Sequence, residues 1–200
     1  FSKKTPNAIA IYYEDKEISY KELIDRSNKY SQWFLNNNLS KGDVVALMME
    51  NRPEFLACWI GITQAGGTVA LINTNLSGQP LDYSLGISQA NNLILGSELS
   101  ENFSTTSDET KSNFNTWIQG DYNDSNYFED LHQCLDDLSA DKPEINYKIT
   151  NDDDAFLIQL QIRMTTVLLL LWRICRVSLS FCVQNLCLRS NLIEPPPPKK

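Results

Sequence analysis

Glycine and lysine run out before this chain does. All eight glycines lie at or before Gly120, and no lysine stands between Lys148 and Lys199. A loop that wraps backbone amides around phosphates needs glycines for close approach and a cation to offset charge. The stretch Asp121–Lys200 therefore has nowhere to build one. Histidine occurs once, as His132, and the five cysteines (Cys58, Cys134, Cys175, Cys182, Cys187) form no CxxC pair. These counts give no metal site and leave the thiols structural or incidental, which fits a reducing compartment. Long uncharged runs are also missing. Met164–Trp172 and Val177–Leu188 are split by Arg173 and Arg176, whereas a membrane span needs about 20 predominantly apolar residues. The chain opens on Phe1, not methionine, and without the basic-then-apolar layout of a signal peptide. A fragment or a processed product is expected.

What is present is unevenly distributed. Residues 1–154 carry 11 Lys+Arg against 24 Asp+Glu, a net of −13, while residues 155–200 carry 6 against 1, a net of +5. An acidic body argues against nucleic acid as a partner. With 42% hydrophobic residues there is enough apolar material for the core of one domain.

The first elements follow from pattern and punctuation. Ala8–Tyr13 and Glu17–Ser19 flank the polar turn Glu14-Asp15-Lys16, which predicts a hairpin. Ser19 and Glu22 form a capping box, after which Leu23, Ser27, Tyr30 and Phe34 recur at helical spacing until the polar stretch Asn36–Asp43. Val44–Met49 is unbroken and apolar, as expected of a strand buried on both faces of a parallel sheet. Asn51 is expected to cap the next helix, with Pro53 near its first position and Gly66-Gly67 at its end. Thr68–Ile72 is a further buried strand, followed by a helix from Pro80 to about Ser88 and the strand Asn92–Gly96. Strands and helices alternating at this spacing predict an α/β fold with βαβ crossovers and a largely parallel sheet. From Ser97 to Asn126 the composition turns polar, and a surface insertion with at most weak order is expected. A helix around Tyr127–Leu138 follows, and Lys142-Pro143 precedes a strand starting near Ala155.

These segments carry a resemblance. Gly42–Leu99, with ENRPEF at Glu50–Phe55, QAGGTVALINTNL at Gln64–Leu76 and the ISYKEL opening at Ile18–Leu23, resembles the N-terminal subdomain of the adenylate-forming (AMP-binding) enzymes. It is most similar to their fatty acid transport protein branch, the very-long-chain acyl-CoA synthetases. The resemblance covers residues 8–158 and implies an incomplete N-terminal domain over 1–158, with the polar insertion at about 97–126. It also implies ATP-dependent activation of a long- or very-long-chain fatty acid through an acyl-adenylate, then transfer to coenzyme A. Magnesium is an implied cofactor, and membrane association facing the cytoplasm an implied location.

Four residues of the matched region stand where a ligand can sit: Asn51 and Arg52 at a helix start, and Asn73 and Asn75 after a buried strand. Each has a simpler structural reading, as cap or turn former. Asp152–Ile158 resembles the acidic-led strand that introduces the family's Ser/Thr/Gly-rich, lysine-closed phosphate loop, but the loop does not follow. Met164-Thr165-Thr166 is its nearest counterpart, inside a leucine run. No catalytic, cofactor-binding or metal-binding residue is therefore carried over. Residues 159–200 read either as an aberrant product of a changed reading frame or retained intron, or as a basic membrane-associating tail. The chain is expected to be an inactive part of a fatty acid–CoA ligase, the alternative being a non-catalytic α/β module that binds a partner or membrane.

Overall fold

Val44–Met48 (β3) is apolar along its whole length because both faces of the sheet around it are covered. In the computed structural model, which describes residues 5–122, 128–150 and 153–158, β3 has a parallel neighbour on each side. The chain divides into two compact units. Everything described below lies in the larger, Phe1–Ile149 with Asp153–Gln161. Of the smaller unit, only Thr150 is among the described residues.

Chain order begins with an antiparallel hairpin of Ile9–Tyr13 (β1) and Lys16–Ser19 (β2). Tyr20–Asn36 (α1) follows directly, and its predicted capping box is present. The Ser19 hydroxyl accepts from Glu22 N–H at 3.2 Å, and the Glu22 carboxylate accepts from Ser19 N–H at 2.8 Å. After β3 come Pro53–Gln64 (α2), Thr68–Leu71 (β4), Gly78–Ile87 (α3) and Asn92–Gly96 (β5). A 3-10 turn at Ser97–Leu99 leads to Ser100–Ser104 (α4), Asp108–Asn113 (α5) and Asn115–Gln119 (β6). Glu129–Asp130 (β7), Leu131–Asp136 (α6) and Phe156–Ile158 (β8) complete the described elements. The six-stranded sheet has the order β7-β6-β5-β3-β4-β8, and every pairing in it is parallel.

Successive strand residues point to opposite faces, so each strand feeds two cores. Val45, Leu47, Val69, Ile94 and Trp117 pack with Phe34 and Ile62 beneath α1 and α2. Ala46, Met48, Leu93 and Leu95 pack with Leu81, Leu85 and Phe103 on the other side. Helix α2 stops as predicted. Gly66 takes φ +88, and a side chain there would meet the Tyr147 ring at 2.9 Å, so both backbone and space demand glycine.

Three expectations need correcting. Asn51 does not cap α2: Pro53 occupies the first helical position, which makes Arg52 the N-cap residue, and its side chain makes no cap bond. The helix expected at Tyr127–Leu138 is confined to Leu131–Asp136, begun by the Asp130 carboxylate accepting from Gln133 N–H at 3.1 Å. The stretch from Ser97 is not weakly ordered up to Tyr122; it holds two helices and the buried strand β6. Of its apolar residues, Leu99, Phe103, Trp117 and Ile118 are buried, and Phe114 is partly buried against the core on the α3 side. Its polar residues serve as braces: Asn102 Nδ2 donates to the Thr74 and Leu76 carbonyls at 3.3 and 3.1 Å, and the Asp82 carboxylate accepts from Ser107 N–H at 3.0 Å. Composition alone does not separate such braces from solvated residues. The sequence readings on Asn123–Tyr127 and on residues 159–200, including Met164-Thr165-Thr166, lie outside the described residues.

Candidate functional site

Parallel sheets offer ligands a crevice at the carboxyl ends of their strands, where the connections change direction. The chain moves from β3 to β4 on one side, then crosses back to β5 on the other, so the crevice lies between β3 and β5. The loop after β3 brings Glu50, Asn51 and Arg52 to it, the loop after β5 brings Ser97 and Glu98, and β6 ends there at Gln119 and Gly120.

Arg52 ties these three loops together. Its Nη2 donates to the Gln119 carbonyl at 2.8 Å and to Gln119 Oε1 at 2.5 Å, and it pairs with Glu98 Oε2 at 3.2 Å. Glu98 Oε1 accepts from Glu50 N–H at 2.9 Å. The guanidinium is 20% exposed and the carboxylate 27%, so the pair is shielded more than an ordinary surface bridge. Arg52 Nη2 carries all three of the contacts to Gln119 and Glu98, while the Arg52 Nε is buried without a hydrogen-bond partner among the described residues. Glu98 already takes the backbone donor and the cation that an external phosphate or carboxylate would need. Loss of the charge in Glu98→Gln, which keeps an acceptor for Glu50 N–H, is expected to cost about 1 kcal/mol, and Glu98→Ala about 2 kcal/mol. Urea midpoints measure both; an unmoved midpoint for the alanine variant would show that the brace carries no stability.

The other sequence candidates separate cleanly. Asn51 is exposed. Asn75 N–H donates to Asn73 Oδ1 at 2.9 Å, so that pair forms the expected turn. Glu98 and Gln119 escaped the sequence reading because no local pattern links them to Arg52; Gln119 lies 67 residues away. Among the described residues no group of three or more His, Cys, Asp or Glu is arranged to hold a metal ion. His132 is exposed, 3.9 Å from the Asp136 carboxylate. Cys58 is buried, and burial pushes its thiol far above the ordinary range. The Cys134 thiol is also raised, by partial desolvation first and then by Glu129, Asp130 and Asp137. Both surroundings disfavour the thiolate. No helix among the described residues is long and apolar enough to cross a membrane.

A parallel sheet wound in this order, with helices on both faces and its carboxyl-end loops braced by side chains, defines an α/β domain. The sequence profile of the AMP-binding enzyme family matches residues 1–158, and the chain belongs to that family. Its relatives there include long-chain fatty acid transport protein 1 of Rattus norvegicus, 32% identical over 144 residues, which are 71% of this chain and 22% of that protein. The Bos taurus protein of the same name is 37% identical over 120 residues, 60% of this chain and 18% of that protein. The chain thus spans under a quarter of the length of these relatives. Among solved structures, Mycobacterium tuberculosis fatty acyl CoA synthetase superposes with a TM-score of 0.67 at 22% identity, covering 78% of this chain and 30% of that one. The N-terminal domain of FACL13 from Mycobacterium tuberculosis gives 0.63 at 23% identity, covering 78% and 37%. These likenesses establish the fold as that of the N-terminal domain of adenylate-forming enzymes.

Proposed function

We propose that this chain supplies the N-terminal scaffold of a long- or very-long-chain fatty acid–CoA ligase linked to fatty acid uptake, and that it forms no acyl-adenylate by itself. Such an enzyme joins a fatty acid to ATP with release of pyrophosphate and then passes the acyl group to coenzyme A; magnesium and a membrane on its cytoplasmic side complete the proposal. One observation carries the reading. β8 is paired in parallel with β4 through Val69 and Phe156, Ala70 and Leu157, Leu71 and Ile158. It stands where the family introduces its phosphate loop, yet no glycine follows it and no lysine before Lys199.

Among the described residues, none at the carboxyl ends of the strands forms a phosphate cradle or a metal-holding cluster. The cation at the carboxyl end, Arg52, is engaged by Glu98 and Gln119, and nothing else described there offers a phosphate cradle, so no chemical step is assigned to ATP or magnesium on this chain. What the chain does is hold the sheet, close the crevice between β3 and β5, and place β8. The test is fatty-acid-dependent exchange of labelled pyrophosphate into ATP. The expected rate equals that of a no-protein control, because nothing here orients the triphosphate for attack; exchange clearly above the control overturns the reading. The second reading, a non-catalytic module bound to a membrane or partner, is favoured by the net +5 of residues 155–200 beside the acidic body. Sedimentation of the full chain with anionic vesicles distinguishes it.

A further inference from the structure

Residues 139–149 form neither helix nor strand, yet they are fastened to the domain at close intervals. Asn28 Nδ2 donates to the Ala140 carbonyl at 2.8 Å, and Gln32 Nε2 to the Ser139 and Asp141 carbonyls at 2.9 Å each. The Tyr147 hydroxyl donates to the Ala65 carbonyl. Lys41 Nζ donates to the Lys148 carbonyl at 2.8 Å and pairs with Asp153 Oδ2, also at 2.8 Å. Thr68 Oγ1 then donates to the Asp154 carbonyl at 3.0 Å, and Val69 N–H to the Ala155 carbonyl at 3.3 Å. Only after these contacts does β8 begin.

A strand this short is weakly held by its own ladder. β8 has three residues, one strand neighbour among the described residues, and an edge-on contact between Phe156 and Trp59 with ring centroids 5.1 Å apart. Its docking therefore depends on the strap before it. Among these fasteners, Lys41 grips both the end of the strap, at Lys148, and the lead into β8, at Asp153. Both bonds carry the ammonium charge, which makes them stronger than the neutral ones. The ammonium is 33% exposed and the carboxylate 24%, so solvent screens the pair only in part. The backbone under Lys41 is also fixed, since Gly42 N–H donates to the Gly66 carbonyl at 2.8 Å and Gly66 packs against the Tyr147 ring.

We infer that Lys41 is a positioning residue: its grip on Lys148 and Asp153 docks β8, and when it is lost β8 and its strap leave the sheet as one unit while β3, β4, β5 and β6 stay closed. This holds whether or not the chain is part of a ligase. If it is, Lys41 sets the point from which the segment after Ile158 departs.

The experiment is amide hydrogen exchange by mass spectrometry on the full chain, comparing peptides over residues 153–158 with peptides over Val45–Met48. Lys41→Met should speed exchange in 153–158 by about tenfold or more and leave Val45–Met48 within about twofold, since local opening is independent of global unfolding. Lys41→Arg should restore most of the protection. Tyr147→Phe, which removes a neutral fastener of the same strap, should give a smaller change with the same selectivity, and it tests the inference even if Lys41→Met fails to fold. Equal acceleration in Val45–Met48, or none in 153–158, overturns it, as does failure of arginine to rescue.

Discussion

Gly61→Val is expected to lower the urea midpoint of unfolding by more than about 1 M. Gly61 is where α2 rests on α1. A Cβ placed there would run into the Ser27 carbonyl oxygen and lie 2.6 Å from Tyr30 Cβ. Neither obstacle is a flexible side-chain end that can swing aside. The contact is also bonded, because the Ser31 hydroxyl donates to the Gly61 carbonyl at 2.6 Å and is itself fully buried. The helices must move apart, breaking that bond and loosening Tyr30, Trp33 and Phe34 together. Overpacking costs typically about 1–3 kcal/mol, and a backbone obstacle that cannot swing aside puts this site at the upper end, about 3 kcal/mol; division by a urea slope of about 1–3 kcal/mol/M gives the stated change. A midpoint within about 0.3 M of the parent, close to the uncertainty of such fits, would mean that α1 and α2 separate freely.

Phe34→Ala has a comparable effect by the opposite route. The ring is fully buried under the sheet, and its edge fills the space that Gly67 leaves open. Removing it forfeits the transfer free energy and leaves a cavity walled by secondary structure, a loss of about 3–5 kcal/mol. Domains are stable by only about 5–15 kcal/mol, so calorimetry should show the melting temperature falling by about 6–20 °C. Tyr12→Ala serves as the control. Tyr12 is 72% exposed, and its replacement should stay within about 0.5 kcal/mol of the parent. Similar losses at both positions would contradict the placement of the core beneath α1 and α2.

The α/β class, the hairpin, the Ser19–Glu22 capping box, the strand at Asn92–Gly96 and the stop at Gly66-Gly67 were all legible in the sequence. Each depends on neighbours a few residues apart: an apolar run, a side chain reaching the next turn, a glycine where φ must be positive. The lack of glycine after Gly120 and of lysine between Lys148 and Lys199 is likewise a matter of composition, read without any structure.

The tertiary structure alone decided the order β7-β6-β5-β3-β4-β8, the bonding of Arg52 to Glu98 and Gln119, the ordering of the polar stretch after Ser97, and the bonding of Lys41 to Lys148 and Asp153. In each case the partner is remote: Gln119 lies 67 residues from Arg52, and the Lys148 carbonyl 107 from Lys41. A polar side chain carries the same signature in sequence whether it meets water or a distant backbone carbonyl. Only folding removes the water and supplies the carbonyl, and that exchange turns a solvated residue into a fastener.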